Sequence, residues 1–263
     1  MRALLSAALL GCAVPGALAA DAGEASSADE APSATPYRPS VSTPAALSAP
    51  GWIEIEAGGV RAHAADGSRR DSVPVTVKLA FTPDWGVRVS TDAWARLLDP
   101  SGANVSGGGD TAVVLKRRFA VDERSAFGLE AGLSVATARA GLGSGGTDAS
   151  LNGIYSADLP GDFHTDLNII ATRFQHIDPG TARVQWLEAA SLSKALNERW
   201  GVVGELSCTH RGGVDGTAQL LAAASYNASR AVVLDAGLAR SVRNGGKDRS
   251  VFAGVTWLAF RLF

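Results

Sequence analysis

Apolar side chains recur at every second position through residues 51–263, and this period constrains the fold more than any other feature of the sequence. In residues 126–135, for example, Phe127 and Leu129 occupy one face of the pattern while Glu130 lies on the other. An amphipathic helix would repeat its apolar residues every three or four positions, so this pattern indicates half-buried β-strands. The chain is therefore predicted to be all-β over this range.

About twelve alternating segments can be counted, and many are about ten residues long, whereas strands in soluble sheets have about five or six. A tilted strand of about ten residues has the length that crosses a bilayer. No run of apolar residues is long enough for a membrane-spanning helix. The segments begin near residues 51, 72, 85, 107, 125, 146, 162, 182, 198, 214, 230 and 248.

The connections between these segments alternate between tight turns and longer, glycine-rich polar loops. This alternation, with Trp85, Tyr155 and Trp200 near strand ends, is typical of bacterial outer-membrane barrels. It favours a transmembrane antiparallel up-and-down β-barrel, with short periplasmic turns and longer extracellular loops, over a soluble sandwich. The turns are expected at residues 83–84, 121–124, 159–161, 197–198 and 228–229, and the loops at 62–71, 97–106, 139–146, 175–181, 211–215 and 243–247.

The N-terminal part of the chain differs in composition from the rest. A positively charged start precedes an apolar stretch, and Ala17-Leu18-Ala19 fits the small-x-small rule for signal-peptide cleavage. We interpret residues 1–19 as a signal peptide, with a lipoprotein signal ending at Cys12 as the alternative. Residues 20–50 are mostly Ala, Ser, Pro and acidic, and are predicted to form a disordered periplasmic tail because they can bury little apolar surface. The barrel, residues 51–263, is then expected in the outer membrane with both mature termini periplasmic.

The last predicted strand ends in Phe263, and a C-terminal aromatic residue is associated with barrels that the insertion machinery recognises. The expected partners are therefore this machinery, outer-membrane lipids and a small-molecule solute. Two residues disturb the alternation. Glu188 shares the parity of Val184 and Trp186, which predicts a bulge, and Arg261 shares the parity of Phe263, so it is expected to reach the periplasmic interface.

Composition and motifs exclude several classes of function. A net charge of −2 is too acidic for a protein that neutralises nucleic-acid phosphates. Two cysteines without a CxxC spacing argue against a disulfide scaffold or a zinc site. Gly141, Gly143 and Gly146 match a dinucleotide-binding pattern, but the residues that follow alternate as a strand where that motif needs a helix. No histidine stands at metal-pair spacing with another His or Cys, so we expect neither a cofactor nor a metal.

Parity places ionisable residues of both signs on the polar face of the strands, which would line the barrel interior. Two readings stay open: these residues cross-link and fill a narrow lumen, or they line a path for solutes. About twelve strands enclose a lumen between those of filled eight-stranded barrels and open sixteen-stranded porins, which favours a narrow channel. The lumen-lining candidates are Glu54, Glu56, Lys78, Arg88, Asp92, Asp110, Lys116, Arg118, Glu130, Asp148, His164, Asp166, Glu205 and Asp235.

His164 and Asp166 share one polar strand face, where they could form a hydrogen-bond pair or a catalytic dyad. Because no motif places an activated Ser, Thr or Cys beside them, we favour the pair and expect no enzyme. A phospholipase-like hydrolase in an outer-membrane barrel, or a structural barrel without flux, is the alternative.

Five stretches resemble the outer-membrane "transporter" proteins of the MetA-pathway-of-phenol-degradation family: GWIEIE at residues 51–56, GDTAVVLKRRF at 109–119, GLGSGGTD at 141–148, LNGIYS at 151–156 and FHTDLN at 163–168. The resemblance covers the whole expected barrel, although the stretch after Trp257 is longer than the usual ending of the family. It implies an outer-membrane transporter, sometimes linked to aromatic-compound catabolism, and brings no catalytic residues. We therefore expect passive passage of small molecules, with aromatic compounds as one candidate, through a charged and narrow lumen.

Overall fold

The computed structural model describes residues 32–243 and 247–263. The predicted signal peptide with Cys12, and residues 20–31 of the predicted tail, lie outside the described residues. Among the described residues, no helix is long and apolar enough to cross a membrane. The strands are β1 (Trp52–His63), β2 (Arg69–Ala80), β3 (Trp85–Leu98), β4 (Asn104–Gly107), β5 (Thr111–Ala120), β6 (Ser125–Val135), β7 (Asp148–Leu159), β8 (Phe163–Arg173), β9 (Val184–Ala195), β10 (Trp200–Arg211), β11 (Val214–Ser229), β12 (Val232–Ser241) and β13 (Arg249–Arg261).

The strands form one antiparallel sheet that closes on itself. Each strand pairs with its neighbours in the chain, except that β3 pairs with β5, and β13 closes the barrel against β1. The short strand β4 pairs only with residues 95–98 of β3 and adds no member to the ring. The predicted all-β, up-and-down barrel of twelve strands is therefore confirmed.

The apolar faces of the strands point out of the barrel and the polar faces point in. In β6, Phe127 is 50 % exposed and Leu133 is 54 % exposed. Ala126 and Glu130, which belong to the alternate set of positions, are buried. A soluble sheet buries its apolar face, so this inside-out arrangement is the one that membrane barrels adopt.

The two ends of the barrel differ in their connections. We call them the short-turn end and the loop end. One predicted loop is wrong: residues 211–215 contain only a two-residue connection, in which Gly213 has a φ of 78° that favours glycine. The connections are 81–84, 121–124, 160–162, 196–199 and 230–231 at the short-turn end, and 64–68, 99–110, 136–147, 174–183, 212–213 and 242–248 at the loop end.

The bulge predicted at Glu188 is absent. β9 pairs with β8 and with β10 without any shift of register. Glu188 therefore keeps its outward parity, and its Oε2 atom lies 3.4 Å from Nδ1 of His210 on the same outer face. Glu188 thus has a polar partner on the outer face in the unshifted register.

The register shift of the closing pair lies instead between Ile53 and Glu54, opposite β13. It moves Phe260 to the outer face, where it is 52 % exposed, and so changes the parity of the last residues. Arg261, which was expected to reach the periplasmic interface, donates through Nε to the backbone oxygen of Phe263 at 2.7 Å.

The prediction of a disordered tail is wrong for residues 32–50, which we call the lumenal segment. This segment lies inside the barrel, where Tyr37, Ser42 and Ala45 are buried. The prediction weighed only the apolar surface that the segment itself could bury. The segment is instead held by hydrogen bonds to polar groups on the inner face of the barrel, which its own composition does not reveal.

Candidate functional site

The lumenal segment enters and leaves the barrel at the short-turn end. Near its start, the Ala34 amide donates to the carbonyl of Arg230 in the turn between β11 and β12 at 2.8 Å. Beyond its last residue, the Gly51 amide donates to the carbonyl of Ala80 at the end of β2, also at 2.8 Å. Between these points the segment crosses to the opposite wall, so it forms a loop in the lumen that does not reach through the barrel.

Tyr37 is the central side chain of the lumenal segment. Two ammonium groups lie over its ring, with Lys78 Nζ at 3.9 Å and Lys116 Nζ at 4.3 Å from the ring centroid. Its amide donates to Glu56 at 2.6 Å, and its hydroxyl donates to the Ala46 carbonyl at 2.7 Å and so ties the two arms of the loop together. Cation–π contacts of this kind are strongest where water is excluded, as it is here.

The two lysines belong to a buried ion network on β1, β2, β5 and β6. Lys78 lies 2.5 Å from Glu54 and 2.6 Å from Glu56, and it also donates to the Thr35 carbonyl at 2.6 Å. The Thr35 amide in turn donates to Glu54 at 2.7 Å. A buried charge without a partner is costly, so the segment supplies hydrogen bonds that this network would otherwise take from water.

Glu130 organises the neighbouring part of the wall. Its carboxylate lies 3.4 Å from Lys116 and 3.1 Å from Arg88, and it accepts a hydrogen bond from Asn152 at 3.0 Å. Lys116 connects this group to the segment, because it donates to the Tyr37 hydroxyl at 3.1 Å.

Arg38 reaches the far wall of the lumen. Its guanidinium pairs with the buried carboxylate of Asp235 on β12, with Nε 3.1 Å from Oδ2. The group fits a notch left by two inward glycines: a Cβ at Gly58 would lie 2.7 Å from Nη2, and one at Gly254 would lie 2.5 Å from Nε. Side chains at these two positions would exclude the guanidinium from this place.

The tip of the lumenal segment is bound by Glu205 of β10 and Asn168 of β8. Glu205 accepts hydrogen bonds from the amides of Val41 and Ser42, at 3.0 and 2.8 Å, and from the Ser42 hydroxyl at 2.6 Å. Asn168 accepts from the Thr43 amide at 3.1 Å and donates to the Thr43 carbonyl at 3.0 Å. Bonds to an ionised acceptor are about twice as strong as neutral ones, so Glu205 is a principal anchor.

The loop end of the lumen is covered by the barrel's own loops. Asp110 accepts from the amides of Ala138 and Ser144, at 3.0 and 2.7 Å, and thereby holds the connection 136–147 over the opening. Leu142 of this connection is buried, and its carbonyl accepts a hydrogen bond from Arg70 at 3.4 Å.

The fourteen predicted residues therefore fall into separate groups on the inner face. Six contact the lumenal segment directly: Glu54, Glu56, Lys78, Lys116, Glu205 and Asp235. Arg88 and Glu130 support these contacts, and Asp92, Asp110 and Asp148 bind Arg70 or loop amides at the loop end. His164 and Asp166 lie at the short-turn end, and Arg118 has no ion pair within the described residues. Sequence reasoning missed Asn152, Ser156 and Asn168, which are buried, uncharged and polar.

His164 borders a cavity of about 440 Å³ that lies between the lumenal segment and the short-turn end. Its Nδ1 atom lies 2.6 Å from Asp158 and its Nε2 atom 3.1 Å from Asp166. Both ring nitrogens are thus engaged by carboxylates, and the nearby Ser156 hydroxyl donates to Asp166 at 2.5 Å, not to the histidine. A general base needs a ring nitrogen directed at the nucleophile, so this geometry does not support a catalytic dyad. In residues 32–243 and 247–263, no group of three His, Cys, Asp or Glu is placed to hold a metal ion.

No protein-family model and no curated protein matches the sequence. The fold is similar to an outer membrane channel from Pseudomonas putida F1, with a TM-score of 0.67 and 13 % identity over 81 % of this chain and 97 % of that chain. It is also similar to the KdgM porin in complex with disordered oligogalacturonate (TM-score 0.56, 12 % identity, 79 % of this chain and 99 % of that chain). A third similar structure is the CymD monoaromatic hydrocarbon channel (TM-score 0.52, 11 % identity, 82 % and 90 %). At these identities the similarity shows the shared fold alone.

Proposed function

We propose that the protein is an outer-membrane channel for passive passage of small polar solutes, and that the lumenal segment closes it. The observation that carries the proposal is the position of residues 32–50 inside the barrel, bound to polar groups of the wall and attached to the barrel wall at Gly51. The segment forms no strand of the barrel, so it can leave without breaking the hydrogen-bond ladder between strands. Similarity in fold to channels and porins supports the same class of function.

The charges of the inner face suggest which solutes would pass. Of the fourteen inward residues, nine are carboxylates and four are Lys or Arg. Several of these carboxylates, such as Glu205 and Glu54, accept hydrogen bonds from amides of the segment. Once the segment has left, those carboxylates would face water, and rings of acidic side chains favour cations. We therefore propose a channel that prefers cations, while an aromatic cargo stays a prediction from the family resemblance.

Two alternatives are weaker on the same observations. A hydrolase would need a nucleophile beside His164, and both nitrogens of that ring are engaged by carboxylates. A structural barrel without flux would also contain the lumenal segment, so only a measurement of conductance separates it from a closed channel.

The test is single-channel conductance in a planar bilayer of the intact mature chain and of a variant that lacks residues 32–48. We expect the intact protein to be closed for most of the time and the variant to show steady conductance. In a salt gradient, the reversal potential of the variant should show selectivity for cations. A truncation that removes only residues 20–31 is the matched control and should behave as the intact chain. If the shortened barrel folds, as judged by its heat-dependent mobility in detergent gels, and does not conduct, the channel proposal is wrong.

A further inference from the structure

The outer surface at the loop end carries a cluster of three arginines around one carboxylate. Arg61 of β1 and Arg96 of β3 are the direct cross-strand neighbours of Asp71 on β2. Arg61 Nε lies 2.6 Å and Arg69 Nε 3.2 Å from the Asp71 carboxylate. The cluster thus has an excess of positive charge, and the Arg61 side chain is 56 % exposed.

An open groove of about 450 Å³ lies directly below this cluster on the same outer face. Its floor is formed by small residues: a Cβ at Gly59 would meet no atom within 4 Å, and Ala253 is its cross-strand partner. Trp94 and Val251 form apolar walls, and Arg61 and Asp71 form the upper rim. The groove is therefore apolar along its length and cationic at one end.

We propose that this groove binds a phosphorylated glycolipid of the outer leaflet, with an acyl chain along Gly59 and a phosphate on the guanidinium groups of Arg61 and Arg96. The inference rests on the proposed placement in the outer membrane with the loop end outside. Guanidinium groups bind phosphate by two parallel hydrogen bonds, and clusters of basic residues at a membrane surface recognise anionic headgroups. Arg96 is half-buried and its Nε atom is not accessible, but the side chain forms no ion pair within the described residues, so a phosphate would bind its terminal nitrogens.

A second outward groove provides an internal control. It has a volume of about 590 Å³ and is lined by apolar residues of β5 to β9, including Leu115, Leu133 and Leu151. Arg173 is the one cation among its lining residues, and no carboxylate lines it. An acyl chain fits this groove as well as the first, but a cluster able to select a phosphate is absent among the residues that line it.

The test is binding of purified bis-phosphorylated lipid A to the detergent-solubilised protein, followed by native mass spectrometry. We expect the double variant Arg61→Ala and Arg96→Ala to bind about thirtyfold more weakly than the native protein, as loss of two basic contacts at a membrane surface implies. Arg173→Ala should change the affinity less than about twofold, because one cation in an apolar groove gives little phosphate selectivity. Lipid A without its phosphates, and inorganic phosphate alone, should both bind weakly to the native protein.

Three outcomes would overturn the proposal. The first is an unchanged affinity of the double variant for lipid A. The second is that the native protein binds lipid A equally well with and without its phosphates. The third is that Arg173→Ala loses as much affinity as the double variant. Binding of phosphate without lipid would show an anion site in place of a lipid site. A variant that fails to fold is recognised by its gel mobility, and Arg96→Gln alone, which keeps the size and polarity of the side chain, then replaces it. The channel proposal is tested separately, because its conductance assay uses bilayers without lipid A.

Discussion

The two ends of the lumen are filled in different ways. At the short-turn end, the lumenal segment is bound by Glu56, Glu205, Asn168 and Asp235 on widely separated strands. At the loop end, the opening is covered by the connection 136–147, which is continuous with β6 and β7 at both of its ends.

The difference lies in how each filling element is attached to the barrel. The covering loop can move only as far as its two strand ends allow. The lumenal segment is continuous with the barrel wall only at its C-terminal side, where Gly51 precedes β1. Its other contacts are non-covalent, namely hydrogen bonds, ion pairs, cation–π contacts and the packing of Ala45 on the wall, so it can be released as a unit while the ladder of twelve strands stays closed. Under the proposed function, the segment is therefore the gate and the loop is a fixed cover.

Charge reversal at Arg38 should have the largest effect on how often the segment leaves the lumen. Arg38→Glu would place a carboxylate beside the buried carboxylate of Asp235, and breaking a buried ion pair costs about 3–5 kcal/mol. We expect the open fraction in single-channel recordings to rise more than about a hundredfold, until the channel is open most of the time. Arg118→Glu is the control, because Arg118 faces inward without an ion pair to the segment. Equal gains in both variants would contradict a specific role for Arg38.

Removal of the charge of Glu205 should have the next largest effect. Glu205→Gln keeps an oxygen acceptor but weakens the bonds from the Val41 amide, the Ser42 amide and the Ser42 hydroxyl. Bonds to charged groups contribute about 1.5–3 kcal/mol each, so partial weakening should raise the open fraction about tenfold. The open channel should also lose part of its cation preference, which the reversal potential reports. An open channel with unchanged selectivity would place Glu205 outside the conduction path.

Loss of the Tyr37 hydroxyl should have a smaller effect. Tyr37→Phe keeps the ring beside Lys78 and Lys116 but removes two hydrogen bonds of the hydroxyl, the one to the Ala46 carbonyl and the one from Lys116. Lys116 keeps its bonds to the Pro44 carbonyl and to Glu130, so the net loss should be about 1 kcal/mol and the open fraction should rise about fivefold. Tyr37→Ala, which also removes the ring, should raise it further. If the two variants behave alike, the ring does not contribute to holding the segment.

Release of the covering loop should have the smallest effect. Asp110→Asn weakens the bonds from the amides of Ala138 and Ser144. We expect the open fraction to change less than about twofold, since each weakened bond belongs to a loop that both of its strands still hold. Increased protease cleavage within residues 136–147 would show that the loop has been loosened. A large gain in conductance would instead move the gate to the loop end.

The strands could be predicted from the sequence because each carries its own signal. The alternation of Phe127, Leu129 and Leu133 with inward polar residues is local and needs no knowledge of the partner strand. It also fixes which residues share a face, so the inward position of residues such as Glu130 followed once the loop lengths and the aromatic residues had indicated a membrane barrel. The short strand β4 was missed, since four residues of mixed polarity are too few to show a period.

The lumenal segment could not be predicted because its order depends on partners that are distant in the sequence. Ser42 and Glu205 are 163 residues apart, and Arg38 and Asp235 are 197 residues apart. No property of residues 32–50 alone distinguishes a disordered tail from a segment that complements a polar wall. The buried uncharged residues Asn152 and Asn168 were missed for a related reason: a search for ionisable side chains ignores amides.

The central claim is that the lumenal segment occupies the lumen when the channel is closed and leaves it on opening. The most direct measurement uses a reversible lock, with Ala45→Cys and Gly128→Cys in a Cys208→Ser background that also carries Arg38→Glu. A Cβ at Gly128 would lie 3.3 Å from Cα of Ala45, which is within reach of a disulfide. We predict that the oxidised protein does not conduct and that reduction restores the open channel of Arg38→Glu. Equal conductance of the oxidised and reduced proteins, with the disulfide verified by mass, would contradict the account.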